Sequence, residues 1–191
     1  MEGFPKLVPA FTIRMQTAPQ LIMGLSYLCY HSTLSATSPE TMLTSFSGPA
    51  FSNAVMAVGP IEHGTVKSVP GYGAEPFEGE VVNGADIFQV DALFRSVKLD
   101  FRAVIKTPEG HAVYFTFLGF IEGNEDTALI LKGDPNAKSS QWGSSFMSGT
   151  FETGNPKWVG MTNKVFVGSQ RLIKKPDQPL VVEINLSEVT V

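Results

Sequence analysis

The sequence is short of charge, of cysteine and of long apolar runs, and each shortage removes a class of protein. Charged residues fill 17% of the 191 positions, below the roughly 25% usual for soluble domains. The formal net charge is -4 and Lys and Arg never cluster. Clustered cations are what hold a phosphate backbone, so nucleic acid is not an expected partner. The densest basic stretch, Arg171, Lys174 and Lys175 beside Pro176 and Asp177, reads as a solvated turn. Cys29 stands alone, so no intrachain disulfide can form, which suits a reducing compartment and a cytoplasmic location. The apolar run Pro19–Cys29 is about half the length a membrane helix needs. Met1–Gly24 lacks a charged start, an apolar core and a cleavage site in that order, so neither a leader nor a membrane partner is expected.

Several catalytic signatures are missing too. Gly71-Tyr72-Gly73 runs on into Ala-Glu-Pro and does not complete a dinucleotide loop. There is no phosphate-binding loop, and Gly143-Ser144-Ser145-Phe146 lacks the second glycine of a nucleophile elbow. His31, His63 and His111 have no metal-ligand spacing. Hydride transfer, phosphoryl transfer and ordinary serine hydrolysis are therefore disfavoured, and no cofactor or metal is expected.

What the sequence has is turn residues and aromatics: 18 Gly, 13 Pro and 14 Phe. Together they describe many short elements around an aromatic interior, in one domain over 1–191. Ala10–Gln16 alternates Phe11, Ile13 and Met15 with polar neighbours. Glu78–Val82 and Ile87–Val90 flank Asn83-Gly84, a hairpin signal, and Val97–Lys106 and His111–Phe120 flank Thr107-Pro108-Glu109-Gly110, another. Further strands are predicted at Thr65–Val69, Thr127–Lys132, Trp142–Phe151, Trp158–Val167 and Leu180–Val191, and one short helix near Pro39–Phe46. The expected fold is an all-β, closed or nearly closed antiparallel barrel of lipocalin-like architecture. It would hold a central apolar pocket and at most one or two short helices, with 1–60 as an extended segment, a strand plus a lid.

Two clusters could carry chemistry. In Val97–Lys106, Asp100 and Arg102 lie two apart and point the same way from one strand. Outward they are a surface ion pair; inward they are a buried acid and guanidinium. In Phe151-Glu152-Thr153-Gly154, Glu152 sits between apolar and turn residues, where a carboxyl can be raised into the range of acid–base work. Its plainer role is to accept backbone N–H bonds at a strand end. His63 precedes Gly64 in a predicted turn at the barrel mouth.

From residue 62 on, the chain resembles the microbial domain-of-unknown-function 3237 family of small β-barrel proteins. The resemblance rests on Gly64-Thr65, Gly79–Asp86 (GEVVNGAD), Leu99–Gly119 (LDFRAVIKTPEGHAVYFTFLG) and Phe151–Gly168 (FETGNPKWVGMTNKVFVG). It implies an antiparallel barrel with a central pocket. It also marks Asp86, Asp100, Arg102, Glu152 and Asn163 as family-pattern positions, with Asp100 and Arg102 turned to the cavity, and associates the barrel with secondary metabolism.

Two functions compete. The first is a cofactor-independent enzyme of natural-product biosynthesis that cyclises, isomerises or dehydrates a hydrophobic intermediate. Glu152 or Asp100 would be acid or base, Arg102 and Asn163 would stabilise an oxyanion or enolate, and His63 would be a second proton-transfer group. Tyr114, Trp158, Phe117, Asp86 and Lys106 would contact the substrate. The second is a non-catalytic barrel that carries an apolar small molecule. A third, an assembly module using the apolar run 19–30, leaves a homodimer open.

Overall fold

The computed structural model describes residues 2–18, 21–22, 55–73, 75–91 and 93–191. Alternation of apolar and polar residues with period two gives each strand one face for the core and one for water. The elements are β1 (Lys6–Thr17), β2 (Leu21–Ile22), β3 (Val55–Ser68), β4 (Glu78–Val90), β5 (Ser96–Lys106), β6 (Ala112–Glu122), α1 (Glu125–Leu131), β7 (Ser145–Glu152), β8 (Phe166–Ile173) and β9 (Val181–Thr190). From β3 to β9 each strand pairs antiparallel with the next, and β1 pairs with both β9 and β3. The long strands thus form a closed eight-membered ring, and β2 is a two-residue extra on β3. This is the expected antiparallel barrel, with β1 and the start of β3 supplied by the first sixty residues.

The interior is built from rings. Phe11 touches Tyr72, Phe77, Phe151 and Phe166 at centroid distances of 5.1 to 5.9 Å. Phe151 stacks on Phe115 at 4.6 Å, and Phe101 stacks on Phe117 at 4.6 Å. Offset and edge contacts of this kind add to the area term. One seam is short: β7 and β8 pair only over Phe146–Gly149 and Phe166–Ser169. Beyond it, Ser140 Oγ accepts the Leu172 N–H at 2.8 Å and Ser139 Oγ accepts the Lys174 N–H at 3.1 Å.

Three local expectations need correction. Thr127–Lys132 is not a strand but lies across α1 and its C-cap: Asn124 Oδ1 accepts the Thr127 N–H at 2.9 Å, and Glu125 and Asp126 sit in the positive first turn. A run this short and apolar carries no period of its own, and the cap decides it. Trp158–Val167 begins not as a strand but as a 3-10 turn at Val159–Met161, before β8. Asn83-Gly84 is not a hairpin turn; both residues lie inside the continuous strand β4. The helix expected over 39–46, Cys29, His31 and most of the run 19–30 lie outside the described residues.

Phe115 is 1% exposed at the junction of both stacks, whereas Leu118 points outward at 62% exposure. Phe115→Ala should therefore cost about 3–5 kcal/mol in urea unfolding, and Leu118→Ala should stay within about 0.5 kcal/mol. Similar losses for the two would contradict the inside–outside assignment.

Candidate functional site

β4 changes phase part-way along. Gly79 and Val81 are buried, Val82 and Asn83 are both exposed, and Phe88 is buried again. The pairing with β5 skips one residue, passing from Val81↔Ile105 to Asn83↔Val104, so Val82 is the extra residue of a β-bulge. Beyond it the inward positions are Gly84, Asp86 and Phe88, opposite Ala103, Phe101 and Leu99. Gly84 is needed for closeness: a Cβ there would lie 2.9 Å from the Ala103 Cβ and 3.1 Å from the Arg102 carbonyl oxygen. β3 skips Glu62 in the same way against β1. Without the bulge Asp86 would keep the phase of Glu80 and face water; with it the carboxyl turns inward.

There it meets a cavity. Its walls include Met15, Phe88, Leu99, Phe101, Phe117 and Leu172, and its polar members are Asp86, Gln170 and Thr17. Its volume is about 50 Å³, and it is open on one side. It lies toward the end of the barrel that carries α1, whose Leu131 is part of the wall, rather than at the end filled by Phe11, Phe77 and Trp158.

The residue Asp86 is half-buried, but its carboxyl group is largely enclosed. Burial pushes the carboxyl up from its ordinary 3.8 to about 7; the Asp100 backbone N–H opposes this and the Asp100 carboxylate adds to it. That N–H donates to Asp86 Oδ1 at 3.2 Å. A group balanced near neutrality can both take and give a proton.

Of the other sequence-nominated residues, Phe117 shares this cavity. Asp100 and Arg102 do not. They stand on the outer face of β5, between inward Leu99, Phe101 and Ala103, and pair in the open (Nε to Oδ1, 3.2 Å) with side chains 63% and 39% exposed for Arg102 and Asp100. The expectation that they face the cavity is therefore corrected by strand parity, and as a solvated ion pair they contribute little to stability. Glu152 follows inward Phe151 and is likewise exposed, opposite Tyr114 on the outer face. The ring thus gathers Asp100, Arg102, Tyr114 and Glu152 on neighbouring strands outside the barrel, where the Asp100 hydrogen bonds, with a smaller contribution from Tyr114, hold the Arg102 guanidinium above its ordinary range. Lys106 and Asn163 are exposed, and His63 is exposed within β3 rather than in a turn. Trp158 is buried at the aromatic end, edge-on to Phe77 at 5.3 Å, with the Lys157 ammonium 4.7 Å from its ring centroid.

Two other features fall short of a reactive site. An outer groove has walls of Leu118, Phe120 and Phe146 over a floor of small residues, and no titratable group stands among its described walls. At the aromatic end the Tyr72 hydroxyl donates to Glu188 Oε2 at 2.6 Å and Lys164 Nζ to the same oxygen at 2.8 Å. Burial, then the Glu188 carboxylate, push the Tyr72 phenol up and away from neutral chemistry, so this is a clasp. Among the described residues no group of three or more metal-binding side chains occurs, and no helix is long and apolar enough to cross a membrane.

A family model described as "Protein of unknown function (DUF3237)" matches residues 5–189. The chain belongs to the DUF3237 family. The match reaches well ahead of residue 62, where the resemblance was first legible, and takes in β1. No curated protein matches in sequence. Among solved structures, a beta-barrel like protein from Acinetobacter baumannii is similar at TM-score 0.61 and 20% identity, over 100% of this chain and 99% of that one. A conserved protein of unknown function from Rhodopseudomonas palustris gives 0.66 and 18%, over 98% and 99%. An enzyme from Penicillium herquei gives 0.51 and 14%, over 95% and 94%. At these identities the likeness concerns the fold.

Sequence reasoning placed Asp86 among the substrate contacts of this DUF3237 chain but not as its acid or base, and it passed over Gln170. The available signal was phase: Glu78–Val82 and Ile87–Val90 are out of step by one residue, which a bulge explains as well as a turn does. The raised Asp86 has a consequence for stability. Between about pH 4 and pH 7 the folded chain keeps a proton that the unfolded chain has lost, so stability falls as pH rises through that window. Asp86→Asn cannot ionise. In denaturant unfolding it should gain a few kcal/mol over the parent at pH 8, since each tenfold change in proton affinity on folding is worth about 1.4 kcal/mol. At pH 4 it should show no such gain. Parallel pH profiles for both proteins would mean that Asp86 is not an enclosed acid.

Proposed function

We propose that this barrel is a cofactor-independent acid–base enzyme that cyclises, isomerises or dehydrates an apolar intermediate of secondary metabolism, with Asp86 as the proton-transfer group. The observation that supports it is a carboxyl raised to about 7 in a mostly apolar cavity. Each of the three reactions moves one proton from one substrate atom to another. In isomerisation the carboxylate takes a proton from carbon and the resulting acid returns it elsewhere. In dehydration the acid gives that proton to the departing hydroxyl, which leaves as water. In cyclisation by addition, the proton lost from a hydroxyl returns to carbon as the C–O bond forms. One group near neutrality serves all three, because it ends each cycle in the state in which it began. The likeness to a barrel described as an enzyme lends the reading support. A carrier would need the same apolar walls without the titrating group.

The test begins with native mass spectrometry of the protein from its producing cells, to find a co-purifying small molecule. Turnover of that molecule by the parent should depend on a group titrating near pH 7. Asp86→Asn should bind it while losing about 100- to 10,000-fold in rate. Glu152→Gln, on the outer face, should leave the rate within about twofold of the parent, inside the ±0.5 kcal/mol ordinary for surface changes. Binding without conversion by the parent would favour the carrier, and full activity in Asp86→Asn would remove Asp86 from the reaction.

A further inference from the structure

Gln170 is an unusual residue to find where it stands. It is 3% exposed, one of only five buried polar residues among those described. It occupies an inward position of β8 between Gly168 and Leu172, and it lines the cavity that holds Asp86. Ser140 and Ser145, two of the other buried polar residues, are bound through their hydroxyls at strand ends, and Thr127 is bound into the α1 cap by its backbone N–H while its Oγ1 has no partner among the described residues. Among the described residues no hydrogen bond joins the Gln170 side-chain amide to another group. A primary amide carries donors and an acceptor, and at the wall of a cavity a bound molecule can supply partners for them.

The ring order says what Gln170 faces. Around the barrel the long strands run β1, β3, β4, β5, β6, β7, β8, β9 and back to β1. β4 and β8 are four places apart in either direction, so Asp86 and Gln170 stand on opposite walls of one cavity. Between them the surface is aliphatic and aromatic, with Phe101 and Phe117 in their stacked pair on one side. Among the described residues no Lys, Arg or His lines the space. From the described walls a charged ligand would receive no cationic counter-charge, at heavy desolvation cost.

The geometry points to Gln170 as a ligand-binding residue: with Asp86 it forms a two-point polar clamp across the barrel for an uncharged molecule that carries an oxygen function at each end of an apolar ring or chain. This rests on the reading of the cavity as a small-molecule site. Asp86 would hold the end where the proton moves, and Gln170, which can donate and accept, would hold the far end and so set which atom lies over Asp86.

A matched set of neutral probes separates the two contacts: hydroquinone with two hydroxyls, p-cresol with one and p-xylene with none, on one ring size. Dissociation constants come from NMR titration of the full chain. For the parent, hydroquinone should bind about three- to tenfold more tightly than p-cresol, the value of one more net hydrogen bond. The Gln170 side-chain amide signals should move with hydroquinone and stay still with p-xylene, which needs no substitution. Gln170→Met, close in length and volume, should bring hydroquinone down to the level of p-cresol and leave p-cresol within about twofold, as expected when only the one contact is lost. If the preference for hydroquinone survives Gln170→Met, or the amide signals ignore it, the clamp is overturned while the cavity stands. If no probe binds the parent, the clamp and the cavity reading fall together.

Discussion

The double pairing of β1, with β9 on one side and β3 on the other, is the constraint from which the remaining features follow. A sheet with two free edges exposes two rows of unpaired backbone groups; a ring exposes none. Closure also divides every side chain into inner and outer with no ambiguous edge, so that parity along a strand becomes a statement about solvent. This is why so low a share of charge is workable: the outward positions carry nearly all of it, and the inward ones are left to phenylalanine.

Parity has one exception that matters, and it is built by insertion. The extra residue Val82 in β4, next to the skipped Glu62 in β3, turns the second half of β4 over. The same stretch that would have displayed Asp86 on the surface presents it to an apolar interior instead. The raised carboxyl is therefore a product of backbone register as much as of side-chain chemistry. Gly84 allows the flipped strand to lie close to Ala103 and Arg102.

Much of the architecture was legible because it is written in period two and in turn chemistry: Thr107–Gly110 closes its hairpin with the Gly110 N–H on the Thr107 carbonyl at 2.9 Å. The site was less legible. Asp100, Arg102 and Glu152 were attractive as residue types, and their own neighbours, Leu99, Phe101 and Phe151, already marked them as outward. The resemblance pulled the other way, since it names positions without saying which face they occupy. Asp86 could be recognised as inward only by counting a bulge, a one-residue event that leaves no composition signal. Gln170 announced itself only as a polar residue in an inward phase.

The short seam between β7 and β8 gives the barrel an uneven wall. Four register pairs join those strands, and the far half of β8 hangs from β9 on one side and from Ser139 and Ser140 on the other. Gln170 and Leu172 belong to that half. In the language of a cask, the stave that faces Asp86 is the one with the loosest hoop. Local opening follows the thinnest hydrogen bonding, so among the described strands the wall that carries Gln170 is the part of the ring that gives most readily.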